Sequence, residues 1–310
     1  MKRNKLALAA LAGAALAPSA PASAGTLELA PASDWELRTY DDKCRIARDF
    51  GAGEDAVTLW IDKGGPGPSV NLTFIGRPMR DPYGPTVRFA FAEAGKAERN
   101  YVKVTSSAGR PVLVLFGVRP MDAVPELPVV DLIEPDASLA DEEVDLAAAS
   151  ASDTGVSEKL VAERLSGIES LHMEGAIIEP VTLEFDGFGK AMADLATCTA
   201  DLTDRLEGQG SDGWTPPEPD GQEAWVREII EDYPAHLLRK EEEGSVNVRL
   251  TVGKTGRVSF CEVTDFSGPA SFNETACLNL IKHARFKPAK DDEGNPVPAF
   301  WETRVTYAIR

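Results

Sequence analysis

The segment Gly208-Gln209-Gly210-Ser211-Asp212-Gly213-Trp214-Thr215-Pro216-Pro217-Glu218-Pro219-Asp220-Gly221 constrains the fold of this chain more than any other stretch. Turn formers and prolines dominate it and aliphatic side chains are absent, so residues 207–222 are expected to be a linker. A chain of 310 residues is long for one hydrophobic core. The boundary therefore divides it into a larger part, residues 25–206, and a smaller one, residues 223–310.

The other end decides the compartment. Lys2, Arg3 and Lys5 precede an apolar run from Leu6 to Leu16, and Ala22-Ser23-Ala24 forms a small-residue cleavage site. A spanning helix needs about 20 apolar residues, whereas this run breaks at Pro18 and Pro21. Residues 1–24 thus read as a cleaved signal peptide, with the periplasm as destination and no membrane span afterwards. The net charge of -18 becomes -21 once the three positive side chains of residues 1–24 are gone. Nucleic acid and anionic lipid both demand a basic surface, so neither is an expected partner. Cys44, Cys198, Cys261 and Cys277 are an even set in an exported chain, which reads as disulfides. None has C-x-x-C spacing, so no metal or cofactor is expected from them.

In the larger part, Ala56–Ile61, Ser69–Ile75, Thr86–Ala92, Tyr101–Thr105 and Pro111–Val118 are short apolar runs between turn signals. They predict a small antiparallel sheet, sandwich or partial barrel. Residues 120–156 are rich in Pro, Ala, Asp and Glu and predict an acidic linker or long loop. A helix over Ser157–His172, a strand over Ile177–Phe185 and a helix over Lys190–Leu206 follow. The last carries Met192, Leu195, Cys198, Leu202 and Leu206 along one stripe, which places Cys198 within reach of Cys44.

The smaller part is patterned more cleanly. A helix over Glu223–Asp232 stops at Tyr233-Pro234, and a short helical run reaches Lys240. Val246, Val248, Leu250 and Val252 alternate with polar residues, as on a half-buried strand. Gly253-Lys254-Thr255-Gly256 turns the chain into a second strand through Val258, Phe260 and Val263. Ser271 is placed to cap a helix from Phe272 to Arg285, with Glu274 in the capping-box position. Trp301, Thr303, Val305, Tyr307 and Ile309 then alternate along a final strand. Cys261 on the second strand and Cys277 on the helix are expected to pair, and so are Cys44 and Cys198. The fold class is α+β: a β-rich N-terminal domain with added helices, then a small β-β-α-β domain whose three-stranded sheet packs on helices.

Tyr233-Pro234, the G-x-x-G hairpin, Ser267-Gly268, Arg285-Phe286-Lys287-Pro288-Ala289, Gly294-x-Pro296-Val297 and the aromatic last strand occur in an order that resembles the TonB C-terminal domain. The resemblance covers residues 223–310 and leaves 25–222 without one. It implies a module that binds a segment of a TonB-dependent outer-membrane receptor and couples it to an inner-membrane complex. The N-terminal anchor reads as cleavable and no long Pro-Glu/Pro-Lys spanner is present, so capture of an extended peptide is expected rather than transmission of force. The hairpin and the helical crossover predict the strand order second, first, third, with the final strand on a free edge. Trp301, Thr303, Arg304, Val305 and Tyr307 are the expected partner-binding residues, by addition of a strand to that edge. Proline at Val305 is expected to remove an edge hydrogen bond. A second copy of the chain is an alternative occupant of the same edge.

Motifs for chemistry are weak. Asp153-Thr154-Gly155 lacks the apolar strand that an aspartic-protease loop needs. His172, His236 and His283 form no H-E-x-x-H pair, and no G-x-S-x-G occurs. Gly51-Ala52-Gly53 and Gly64-Gly65-Pro66-Gly67 read as turn glycines rather than phosphate loops, and Asp141–Asp145 as a solvated run. Trp35 and Trp60 read as core or interface residues. The reading is a binding protein, not an enzyme. Its rivals are a hydrolase with unrecognised groups in residues 35–206 and a structural subunit without receptors. Intact-mass analysis of the exported protein is expected to show Gly25 as the first residue; a mass that retains residues 1–24 would restore an anchored protein.

Overall fold

The structure is a computed structural model that describes residues 25–80, 83–84, 86–91, 96–120, 163, 165–207 and 213–309. The signal peptide, the acidic stretch 121–156 with its Asp-Thr-Gly triplet, and the start of the helix expected from Ser157 lie outside the described residues.

Two sheets build the N-terminal unit. The larger orders β2 (Glu36–Thr39), β3 (Cys44–Phe50), β4 (Val57–Lys63), β5 (Val70–Ile75), β9 (Pro111–Val118) and β8 (Val102–Thr105), all neighbours antiparallel. The smaller orders β1 (Leu27–Leu29), β11 (Val181–Glu184), β10 (Ser170–Glu174), β6 (Thr86–Phe91) and β7 (Ala97–Asn100), with only β1–β11 parallel. Both sheets and helix α1 (Phe188–Glu207) share one core of Phe50, Leu59, Phe74, Phe89, Leu171, Leu183, Phe188 and Leu195, among others. The five strands expected from apolar runs are present. The expected helix to His172 is corrected, because Ser170–Glu174 is β10, paired with β6 and β11 on both sides. Leu171 and Met173 point into the core while His172 faces out, a two-residue period that a helical reading misses.

Cys44 on β3 is disulfide-bonded to Cys198 on α1, which ties the helix to the larger sheet. The separation of 154 residues makes this closure worth about 5 kcal/mol in the chain-entropy model.

The C-terminal unit has its own core. Helix α2 (Gln222–Glu231), the short helix α3 (Ala235–Leu238) and helix α4 (Ser271–His283) pack on one face of a sheet ordered β14 (Val258–Ser267), β13 (Gly244–Val252), β18 (Ala299–Tyr307). Both pairings of β13 are antiparallel, so β14 and β18 run parallel to each other. Val246, Val248, Leu250 and Val252 are all buried against the helices. Cys261 on β14 bonds Cys277 on α4. The proline-rich boundary is only partly a linker. Residues Glu218–Pro219 form β12 against β15 (Phe286–Lys287), and Thr215 bridges Lys290, so its second half is laid onto this unit. Lys290 ends β16 (Ala289–Lys290), which pairs with β17 (Pro296–Val297).

The other face of β13 is not solvated as the alternation implied. Thr251 is buried and its hydroxyl donates to the Gly64 carbonyl at 2.6 Å. The β4–β5 loop, Gly64-Gly65-Pro66-Gly67-Pro68, lies on this face beside Phe260, Glu262 and Phe300. A Cβ on Gly64 would stand 2.5 Å from the Phe260 Cβ, so glycine is required by proximity. Replacing it by alanine overpacks the contact and is expected to cost about 1–3 kcal/mol in urea unfolding; an unchanged midpoint would show that the units are not in close contact there.

Candidate functional site

The edge of β18 and helix α2 form the groove of most functional interest. It holds about 190 Å³ and is lined by Trp225, Val226, Ile229 and Ile230 of α2 and by Thr303 to Ala308 of the β18 end. Helix α2 exists because Trp225, Val226 and Ile229 recur at helical spacing, and Pro234 stops it soon after Glu231. Trp225 and Ile229 are buried, while Ile230 is 64% exposed and forms the outer wall. No strand among the described residues pairs with the outer side of β18.

The ladder fixes which groups of β18 are free. On β13, the N–H of Ser245 meets the Ser267 hydroxyl, the carbonyl of Asn247 accepts from Thr264, and the N–H of adjoining Gly253 donates to Arg257. Odd-numbered residues of β13 thus direct their backbone groups to β14. Even-numbered ones direct them to β18, so Val246, Val248 and Leu250 bond Val305, Thr303 and Trp301. The outward groups are those of Glu302, Arg304 and Thr306. The expectation for proline at Val305 is corrected accordingly, since Val305 faces β13 and proline there would break the ladder.

Side chains divide by the same parity. Trp301 stands edge-on to Phe286 at 4.9 Å, and Tyr307 stacks on Phe272 at 4.3 Å. Tyr307 is a core residue, 3% exposed, rather than a free contact surface. Burial, then the nearby Asp232 and Tyr233, hold its hydroxyl pKa well above the usual value. Thr303 and Val305 line the groove. Arg304 lies on the opposite face and its Nε donates to the Asn247 side chain at 2.8 Å. Glu302 pairs with Arg249 at 2.8 Å, and Arg249 also reaches Glu207 of α1 at 3.5 Å.

A second cleft of about 440 Å³ follows the outer edge of β14, but the N-terminal unit closes its far side through Ser69, Arg99, Gly117 and Arg119. Glu262 accepts from the Ser69 hydroxyl at 2.9 Å and from its N–H at 3.3 Å. Burial raises the Glu262 pKa against the attraction of Lys63, and burial lowers Lys63 to about 8. Glu274 does not make the expected capping box; α4 has Ala270 at its N-cap and no side-chain cap. Its carboxylate instead accepts from the Asn100 N–H at 2.6 Å, with Arg99 at 3.9 Å. Nothing in local spacing could have revealed that partner across the two units.

Elsewhere, His172 lies between Thr182 and Glu174, each at 3.1 Å, and Glu174 is pulled down to about 2 by Lys96, His172 and Arg88. That is a sheet-surface ion cluster. Among the described residues no group of His, Cys, Asp and Glu is arranged to hold a metal. Trp35 packs on Phe50, Phe185 and Phe188, and Trp60 lies under the Arg45 guanidinium at 3.8 Å.

The C-terminal unit is thus a small α+β unit whose β18 edge is unpaired among the described residues and backed by a helix. Residues 231–309 match the family model described as Gram-negative bacterial TonB protein C-terminal. No curated protein and no solved structure matches the chain. The matched family is a non-enzymatic, transducer-type domain associated with envelope transport through protein interaction. Helix α2, one wall of the groove, ends where the match begins.

Glu274 gives a pH prediction with a defined sign. Burial raises its folded pKa over the opposing pull of Arg99 and the Asn100 N–H. Its contribution is therefore present below the ordinary glutamate value and is lost as pH rises through the raised one. Glu274→Gln keeps the acceptor for Asn100 without the charge. Relative to wild type it is expected to be more favourable at pH 7.5 than at pH 5 in urea unfolding; the reverse order would contradict the assignment.

Proposed function

We propose that this chain is a periplasmic protein-interaction component of envelope transport, whose C-terminal unit captures an extended segment of a partner protein. The partner class is a TonB-dependent outer-membrane receptor segment, which adds a strand to the free edge of β18. The observation that carries the reading is the outward backbone of Glu302, Arg304 and Thr306 beside an apolar helix wall. An added strand would pair its N–H and C=O groups with those of β18 and lay alternate side chains under Val226, Ile229 and Ile230. The signal-peptide pattern, the two disulfides and the family of the C-terminal unit support the compartment. The N-terminal unit has the role of a frame that holds this sheet.

The decisive variant is Arg304→Pro, which removes an outward N–H and leaves the β13 ladder intact, as an edge position allows. Arg304→Ala is the control for loss of the side chain. Arg304→Pro is expected to weaken capture of receptor-derived segments at least tenfold while Arg304→Ala changes it little, measured by fluorescence polarisation. Equal affinity for a folded Arg304→Pro protein would remove the edge-strand mechanism.

A further inference from the structure

We propose that two copies of this chain associate through the outer edge of β2, whose strands pair antiparallel about a two-fold axis at Leu37. This edge lies in a different sheet from β18, and the dimer does not depend on the capture of a partner there.

β2 ends the six-stranded sheet, and no strand among the described residues pairs with its outer side. Edge strands are ordinarily blunted by proline, a bulge, a cover or charge, because open N–H and C=O groups invite another strand. All of Glu36–Thr39 is exposed, none of it is proline, and its register with β3 is unbroken. Across the hairpin the Tyr40 N–H donates to the Lys43 carbonyl at 2.8 Å, so even-numbered residues of β2 bond β3. The outward backbone groups are those of Leu37 and Thr39. Charge, on Glu36 and Arg38, is the one guard left on this edge.

That guard admits a second copy in one register. Centred on Glu36, an antiparallel pair opposes two carboxylates, and centred on Arg38 it opposes two guanidinium groups; like charges directly opposite are unfavourable. Centred on Leu37, it sets each Glu36 against the Arg38 of the other copy, twice per dimer. The same centre places the outward groups of Leu37 opposite each other, so each N–H meets the other's carbonyl. Arg38 is available for this pairing. Its cross-strand neighbour Arg45 is committed to Asp62 at 2.7 Å, and its own 2.6 Å contact with Glu36 is between exposed side chains. A foreign strand must bring the inverse charge pattern, whereas this chain carries it. On the other face of β2, the Thr39 hydroxyl lies 3.4 Å from Cys198 Sγ of α1. Leu37 is 43% exposed there and borders an open cleft of about 550 Å³ with Asp194, Asp201 and Arg205 of α1. In the dimer each Leu37 is covered by its counterpart. The Cys44–Cys198 bond fixes α1 to β3, the strand next to β2, so this edge is ordered before a second copy arrives.

The test is sedimentation velocity on the chain from Gly25 onward, over a concentration series. Wild type is expected to dimerise in the micromolar range, as a short edge contact implies. Glu36→Arg and Arg38→Glu are each expected to weaken the dimer at least about tenfold, because two attractive pairs turn repulsive at once. Mixing the two single variants is expected to restore association, since each supplies the charge that the other lacks. The double variant Glu36→Arg/Arg38→Glu is expected to dimerise as wild type does. A folding defect in either variant cannot produce recovery on mixing, so the mixture separates lost pairing from lost structure. A wild type that stays monomeric up to about 1 mM would overturn the proposal. So would association unchanged in both single variants, or a mixture no more associated than its parts. Association lost with Arg304→Pro but kept in both charge variants would place the contact at β18 and overturn it as well.

Discussion

The contact on which the rest of the structure depends is the β4–β5 loop laid across the open face of the C-terminal sheet. A three-stranded sheet with helices on one side leaves its other face to water, where Thr251, Phe260 and Phe300 would be exposed. Here Gly64 approaches Phe260 too closely for any side chain, and Thr251 donates to its carbonyl. Phe300 is carried over to the core of the N-terminal unit. Glu262 and Glu274 then take backbone N–H groups of Ser69 and Asn100 across the same junction. The face is thereby occupied, and β13 is buried on both sides toward its end.

This arrangement leaves the sheet with unequal edges. The cleft along β14 is walled by the N-terminal unit and lined with paired charge, whereas β18 opens to an apolar helix wall. A strand held straight by β13 and stapled at its ends by Trp301 on Phe286 and Tyr307 on Phe272 is ordered before any partner arrives. Pre-ordering lowers the entropy that binding must overcome. The disulfides act in the same direction, since Cys261–Cys277 fixes α4 to β14 and Cys44–Cys198 fixes α1 to β3.

Much of the C-terminal unit was legible because its signals are local: alternation in Val246–Val252, a glycine hairpin, Pro234 as a stop, and an alternating last strand. Their order also gave the strand sequence of the sheet. What escaped was settled by distant partners. β3, which carries Arg45, Arg48 and Asp49, is not among the expected strands, yet Arg45 pairs with Asp62 over Trp60, and Arg48 donates to the carbonyls of Ser33 and Asp186. Gly64 has the look of an ordinary turn glycine until Phe260 is placed against it. Glu274 has correct capping spacing and a better partner elsewhere. Among the expected binding residues, Thr303, Arg304, Val305 and Tyr307 all border the groove, but the Tyr307 ring is core and the Arg304 side chain stands on the far face, while Trp301 packs on Phe286 outside it.

The proposal that β18 receives a partner strand has a direct signature at its backbone amides. Amide hydrogen exchange on the chain, alone and with a saturating receptor-derived segment, tests it directly, because a new ladder protects outward N–H groups that solvent otherwise reaches. Slowed exchange is expected at Glu302, Arg304 and Thr306, with β14 and the six-stranded sheet unchanged. Protection confined to β14 or to the N-terminal unit, with those three amides exchanging as before, would contradict it.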